Sequence, residues 1–249
     1  MTKLTGIIIT KDEEENIRSA IHNLDFCDEI IVCDGGSTDK TVDLAKSLDV
    51  VVISRQFKSF SDQRNYALGK ASGEWILFLD ADERVSVKLK QVIRELIKSS
   101  DINGVKFQRI DKFLGKYIYH GENAIVRLVR MAKKGTGTWK RSVHEYWDVE
   151  GAVTEATFPL YHDSNKNLFD FISKINEYSR MHAIDNQKEG KNPGFIKVLL
   201  YPGLKFIDNY FFKFGFLDGI HGFVIAAIMS LHSFLSWSQY FLDTKKHES

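Results

Sequence analysis

Residues 75–85 read WILFLDADERV. Five large apolar residues run directly into Asp80, Ala81, Asp82 and Glu83. A run this short, with no polar alternation, predicts a strand buried on both faces. The strand then dictates where its acids emerge. Three carboxylates at one end of a buried strand need a cation, a ligand or a partner side chain to offset their desolvation.

The flanking sequence repeats the pattern. GIIIT (6–10), EIIVCD (29–34) and VVVIS (50–54) are further apolar runs. Between them lie segments of helical period. EEENIRSAIHNL (13–24) sets Ile17, Ala20, Ile21 and Leu24 on one face, with acids in the first turn. STDKTVDLAKSL (37–48) predicts a helix capped by Ser37 or Thr38, and SDQRNYALGKA (61–71) one opened by Ser61 or Asp62. SVKLKQVIRELIKS (86–99) adds a fourth helix. The βαβαβαβα order predicts an α/β, Rossmann-like, mostly parallel sheet with helices on both faces.

Beyond residue 102 the pattern loosens. GVKFQRI, AIVRLVR and TEATFPLYH read as strands, and residues 168–188 as an amphipathic helix with Leu168, Phe171, Ile172, Ile175, Tyr178 and Ile184 on its stripe. The tail is different again. Thirteen aromatics lie between Phe195 and Phe241, and no charged residue occurs from Gly219 to Leu242. That stretch is long enough to span a bilayer. It also holds His221, His232, four serines and Gln239, which are costly at membrane depth. Interfacial helices flanked by Lys197, Lys205, Lys213, Lys245 and Lys246 fit better, and a helical homodimer interface is the other reading.

Charge is distributed in blocks. Residues 1–83 carry 16 acidic against 9 basic groups, and residues 84–141 carry 15 basic against 4 acidic. The basic block suits an anionic partner or a solvated helix face. The N-terminus shows no signal-peptide pattern, and the two cysteines, Cys27 and Cys33, read as packing residues of a reducing cytoplasm.

Ligands of parallel sheets bind beyond the carboxyl ends of the strands. Here that rim carries Thr10 to Glu13, Asp34-Gly35-Gly36-Ser37, Ser54-Arg55 and Asp80-Ala81-Asp82. Neither G-x-G-x-x-G nor G-x-x-x-x-G-K-[ST] is present, which disfavours a dehydrogenase and a P-loop kinase. Two carboxylates at i and i+2 suit Mn²⁺ or Mg²⁺ bound together with substrate phosphates.

TKDEEENI, EIIVCDGGSTDKT and SDQRNYALGKASGEWILFLDADERV together resemble a family 2 glycosyltransferase of the GT-A fold. SVHEYW, LYHDS and GFLDGIHGFVIAAIMSLHSFLSW are similar to the branch of lipopolysaccharide core β-1,4-glucosyltransferase-like enzymes. The resemblance covers nearly the whole chain. It implies a nucleotide-sugar-binding half at 1–100, an acceptor-binding half at 101–190, and a helical membrane-associating or dimerising segment at 191–249. It implies a nucleoside-diphosphate sugar donor, a UDP-hexose by analogy, and a lipopolysaccharide-core or other lipid-linked glycan acceptor. It places the enzyme in the cytoplasm, on the inner face of the membrane, with no nucleic-acid partner.

Residue by residue, the resemblance puts Thr10, Glu13 and Asp34 against base and ribose, and the helix with Gln63, Arg64 and Asn65 near the nucleotide. Arg64 would contact diphosphate or base. Asp80 would contact ribose or metal, and Asp82 would hold the metal. The reaction needs a general base near the acceptor hydroxyl. Glu145 in RSVHEYW is that candidate, with Tyr146 and Trp147 as a floor for a sugar and His144 orienting it or touching the diphosphate. His162 is a candidate third metal ligand. His120 and Arg127 are weaker acceptor-site candidates, and KKGTGT (133–138) is expected as a mobile loop closing on the donor. Glu83 has no assigned role beyond bridging Arg84 or capping the next helix. A nucleotidyltransferase and a non-catalytic scaffold remain the competing readings. The acidic TKDEEEN disfavours the first, and the intact acids Asp80, Asp82 and Glu145 the second.

Overall fold

The computed structural model describes residues 3–141, 145–163 and 167–248. The chain forms two compact units, Met1–Arg109 with Val126–Asp163, and Ile110–Ile125 with Ser164–Ser249.

The first unit opens with β1 (Leu4–Thr10), α1 (Ile17–Asn23), β2 (Glu29–Asp34), α2 (Thr41–Lys46), β3 (Val51–Ser54), α3 (Phe60–Lys70) and β4 (Trp75–Asp80). After β4 come β5 (Glu83–Val85), α4 (Val87–Leu96), β6 (Gly104–Phe113) and the small strand β7 (Lys116–Tyr117), which belongs with the second unit. The chain returns through β8 (Arg127–Lys133), β9 (Gly137–Lys140), β10 (Tyr146–Val149), β11 (Val153–Glu155) and β12 (Leu160–His162).

The main sheet has the order β3-β2-β1-β4-β8-β6-β12-β5. The first four strands are parallel, and their register pairs Thr10 with Asp34, Ile9 with Asp80, and Asp34 with Ser54. That register delivers all four carboxyl ends to one rim. β4 is buried on both faces, as its apolar run requires: Trp75 to Leu79 have no exposed surface. Leu77 and Leu79 pack with Ile8, with Ile17 and Ile21 of α1, and with Leu89 and Ile93 of α4. Ile76 and Phe78 pack with Ile7, Ile9, Ala67 and Leu68 of α3, and with Trp139 and Trp147 of the β9–β10 hairpin. Burial stabilises each such side chain by roughly 1.5–3 kcal/mol.

Several local expectations are corrected. TEATFPLYH is two short strands, β11 and β12, divided around Pro159, which cannot donate to a ladder. Helix α2 starts at Thr41, because Ser37 and Thr38 spend their groups on Asp34 and Asp12 instead of capping. Helix α3 is capped by Ser59, whose hydroxyl accepts the Asp62 N–H at 3.1 Å. KKGTGT lies in the turn between β8 and β9. Because β8 runs antiparallel to β4, with Lys133 opposite Trp75, that turn sits at the amino end of β4, away from the carboxyl rim. It cannot close over a ligand there. Both cysteines are free thiols, and burial pushes Cys33 up to about 11, as a packing role requires.

The second unit is built on α5 (Leu168–Lys188), α6 (Phe195–Ile207) and α7 (Ile220–Glu248). The bounds of α5 match the periodic segment, but its face is rotated: Phe171, Ile175, Ser179, Ala183 and Asn186 are buried, while Ile172, Tyr178 and Ile184 are exposed. Phe171 and Ile175 pack on Ile225 and Ile228 of α7, together with Phe113 and Ile118. Asp218, 3% exposed, accepts the N–H groups of Tyr119 and His120, and its carbonyl accepts from Lys116 Nζ. Gly222, in the first turn of α7, permits a close approach, since a Cβ there would lie 1.9 Å from the Gly215 carbonyl oxygen. The segment GFLDGIHG is thus an internal latch of this unit.

Phe78 lies edge-on to Trp139 and Trp147 at ring separations of 5.3 and 5.2 Å. Phe78→Ala should therefore cost about 3–5 kcal/mol of stability. Urea unfolding measures this, and a loss under about 1 kcal/mol would mean that this face of the sheet is loosely packed.

Candidate active site

The carboxyl rim of the parallel strands gathers most of the expected residues. Asp80 is the last residue of β4. Its Oδ1 accepts from Arg64 Nη2 at 2.5 Å, and its Oδ2 accepts from Arg130 Nη2 at 2.9 Å. Arg64 also donates through Nη1 to Glu145 Oε1. Arg130 donates to Glu83 Oε1 at 2.9 Å. Glu145, Arg64, Asp80, Arg130 and Glu83 thus form one chain of alternating charge. Arg64 is 1% exposed and its guanidinium lies 4.6 Å from the Trp139 ring centroid.

The ionisation of this chain follows from its geometry. Burial alone would raise the pKa of Asp80, but the Arg130 and Arg64 guanidinium groups outweigh it and hold the carboxyl well below its usual range. Burial likewise opposes the charge on Arg130, while Asp80, Glu83 and Glu145 more than restore it.

Asp82 follows in the turn after β4. β12 pairs antiparallel with β5, setting His162 opposite Glu83, and the Asp163 N–H donates to the Asp82 carbonyl at 2.9 Å. His162 Nε2 and Asp82 Oδ2 are 3.1 Å apart. Asp82 Oδ1 takes no hydrogen bond among the described residues. Among the described residues no group of three His, Cys, Asp or Glu side chains is placed to hold a metal ion; the pair supplies one carboxylate and one imidazole nitrogen. The nitrogen suits Mn²⁺ better than the oxygen-seeking Mg²⁺. The Asp80 carboxylate offers about four lone-pair sites, of which the arginines use two.

The loops after β1 and β2 on the rim are tied together by hydrogen bonds. Thr10 is 3% exposed and its Oγ1 has no partner among the described residues. Asp34 accepts the N–H groups of Gly36 and Ser37 and so holds the Gly35–Ser37 turn. Gly36 has φ 93°, which favours glycine. Glu13 donates its N–H to Thr41 Oγ1 and accepts from Asn16. Asp12 and Thr38, and Glu14 and Lys40, tie the same two loops together. On α3, Gln63 donates to the Cys33 carbonyl, and Asn65 makes paired bonds with the Trp139 backbone. Both are structural anchors in this arrangement.

Other expectations are placed differently. Trp147 is 3% exposed inside the core, so it is no floor for a sugar; Tyr146 beside it is exposed. Glu145 therefore meets a guanidinium where an apolar setting was expected. Arg84 Nη1 donates to the Glu83 carbonyl at 2.7 Å, but the Glu83 carboxylate neither meets Arg84 nor caps a helix; it is fully buried against Arg130. His120 lies in the second unit against Asp218, and Arg127 in the first, paired with Glu155 at 2.6 Å. His144 lies outside the described residues. Arg130 was missed. Its signal was the second arginine of AIVRLVRMA, set between Val129 and Met131.

The sequence profile described as "Glycosyl transferase family 2" matches residues 5–153. The chain belongs to glycosyl transferase family 2. This glycosyltransferase is 32% identical over 243 residues to the lipopolysaccharide core biosynthesis glycosyltransferase LpsC of Rhizobium meliloti strain 1021, covering 94% of this chain and 90% of that one. Its fold is GT-A, similar to glucosyl-3-phosphoglycerate synthase from Mycobacterium tuberculosis. That enzyme's complex with Mn²⁺, UDP and phosphoglyceric acid aligns with a TM-score of 0.52 at 16% identity, over 77% of this chain and 80% of that one. Its complex with Mg²⁺ and UDP aligns with a TM-score of 0.51 at 17% identity, over the same 77% and 80%.

The depressed pKa of Asp80 has a stability consequence. A carboxyl held lower in the folded state stabilises fully above its unfolded value of about 3.9 and loses that contribution as pH falls below it. Below about pH 4 the glycosyltransferase should lose stability more steeply than its Asp80→Asn variant in denaturant titrations. Equal acid slopes would mean that the arginine pairs add nothing to folding.

Proposed function

We propose that this glycosyltransferase moves a hexose from a UDP-sugar, with inversion, to a hydroxyl of a lipopolysaccharide-core or other lipid-linked glycan. The observation that carries the reading is that Arg64 joins Asp80, at the end of β4, to Glu145, while Asp82, two residues after Asp80, meets His162. Similarity to LpsC supports the acceptor class, and the UDP complexes of the synthase support the donor class.

Thr10 and Glu13 meet the nucleoside, with the turn held by Asp34 as its bed. Asp82 and His162 would hold Mn²⁺ or Mg²⁺, and Asp80 would offer its remaining lone pairs to ribose or metal. The ion, when bound, neutralises charge on the leaving diphosphate. Glu145 is the base. Its Oε1 is fixed by Arg64, and its Oε2 takes no hydrogen bond among the described residues. The acceptor oxygen forms a bond to C1, the C1–O bond to the diphosphate breaks, and the hydroxyl proton goes to Glu145 Oε2. Arg64, almost fully buried, orients the base rather than touching the diphosphate.

The second unit supplies the membrane contact. Ile196, Leu199, Leu200, Leu204, Ile207 and Phe212 are all more than 40% exposed along α6 and the turn after it. Lys197, Lys205 and Lys213 lie along the same segment. Helix α7 is long and apolar enough to cross a bilayer, but it packs on α5 through Ile225 and Ile228 and touches Val198 of α6 through Trp237 and Tyr240. A helical unit lying in the anionic interface fits both facts. In this reading the enzyme works on the cytoplasmic face of the membrane.

Calorimetry with UDP and Mn²⁺ tests the site. Asp82→Ala should abolish the metal-dependent part of UDP binding. Glu145→Gln should keep that binding and lose transfer by about 10²–10⁴-fold. Metal-independent UDP affinity in the wild type, or near-normal turnover in Glu145→Gln, would sink the corresponding role. For the membrane contact, the protein should sediment with phosphatidylglycerol vesicles, and Ile196→Asn with Leu200→Asn and Phe212→Asn should release it. Wild-type protein that stays in the supernatant would reject the contact.

A further inference from the structure

We propose that Glu83 and Arg130, which no motif assigns to the reaction, are positioning residues that fix Asp80 for the donor. The inference rests on the reading of the rim as a UDP-sugar site. Asp80 is held from two sides by one closed ring. Its backbone N–H donates to Glu83 Oε2 at 3.0 Å. Glu83 Oε1 accepts from Arg130 Nη2 at 2.9 Å, and the same nitrogen donates to Asp80 Oδ2 at 2.9 Å. Main chain and carboxylate of one residue are therefore locked through a single guanidinium. The ring is sealed, with Glu83 fully buried and Arg130 4% exposed, whereas the Asp80 side chain keeps 30% of its surface. Only the held residue faces the rim.

Stability is a weak reason to bury two charges, since apolar residues of similar volume often serve as well. Orientation is a better one. A half-exposed carboxylate at a strand end would otherwise choose among rotamers, and the partners behind functional carboxylates are worth about 10–100-fold in affinity or activity. The same ring also sets Arg64, which accepts its place from the other oxygen of Asp80 and passes it to Glu145.

The test is UDP affinity in Mn²⁺ by calorimetry, with circular dichroism and thermal unfolding as controls. The double variant Glu83→Gln with Arg130→Met removes both charges together and leaves no uncompensated ion in the interior. It should stay folded and bind UDP about 10-fold more weakly. Added to Asp80→Asn, it should weaken binding less than about 2-fold further, because both act through one carboxylate. Arg130→Lys alone, which keeps the charge, should recover part of the loss and provides the comparison if the double variant does not fold. Wild-type affinity in a folded double variant, or a loss that adds in full to that of Asp80→Asn, would overturn the positioning role alone. If the wild type binds no UDP in Mn²⁺, the donor reading fails and this inference falls with it.

Discussion

Two guanidinium groups placed out of water constrain everything at the rim. A buried cation left unpaired costs several kcal/mol, so carboxylates must come to Arg64 and Arg130. They arrive from separate parts of the chain: Asp80 from the end of β4, Glu83 from β5, and Glu145 from the segment entering β10. Satisfying both arginines therefore fixes where β4 stops, how β5 turns back, and where the candidate base stands. The parallel register of β1 to β4 does the rest by bringing Thr10, Asp34 and Asp80 to the same level.

Division of labour among the acids follows from this. Asp80 and Asp82 look equivalent as a D-x-D pair, but their surroundings differ. Asp80 has both oxygens on arginines, while the Asp82 carboxylate meets only an imidazole among the described residues. The first is an oriented anion; the second keeps one carboxylate oxygen without a hydrogen bond among the described residues. Spacing alone cannot separate these roles, because partners from α3, β8 and β12 decide them.

The parallel half of the fold was legible because its signals are local: apolar runs of strand length and helical stripes between them. The site was legible in residue type but not in pairing. His162 reaches Asp82 only because β12 adds to β5, and no pattern within either segment encodes that contact. Trp147 misled because an aromatic beside a candidate base reads the same whether it stacks on a sugar or fills a core. Glu83 and Arg130 needed each other to be understood, and they lie far apart in the chain. Helix α5 shows the same limit: its length was plain, but the rotation of its buried face, which takes in Ser179 and Asn186, depends on its neighbours.

The β8–β9 turn has a practical side. Lys134 and Gly135 are exposed, Gly135 has a φ of 85°, and the turn lies beside Glu74 at the start of β4. It is as far along that strand from the acids as the strand allows. Exposed turn tips of small and polar residues are where chains best accept foreign sequence. An affinity handle or fluorophore spliced in at Gly135 would leave the carboxyl rim open, which makes this turn the natural point for tethering the enzyme to a surface or reporting on it.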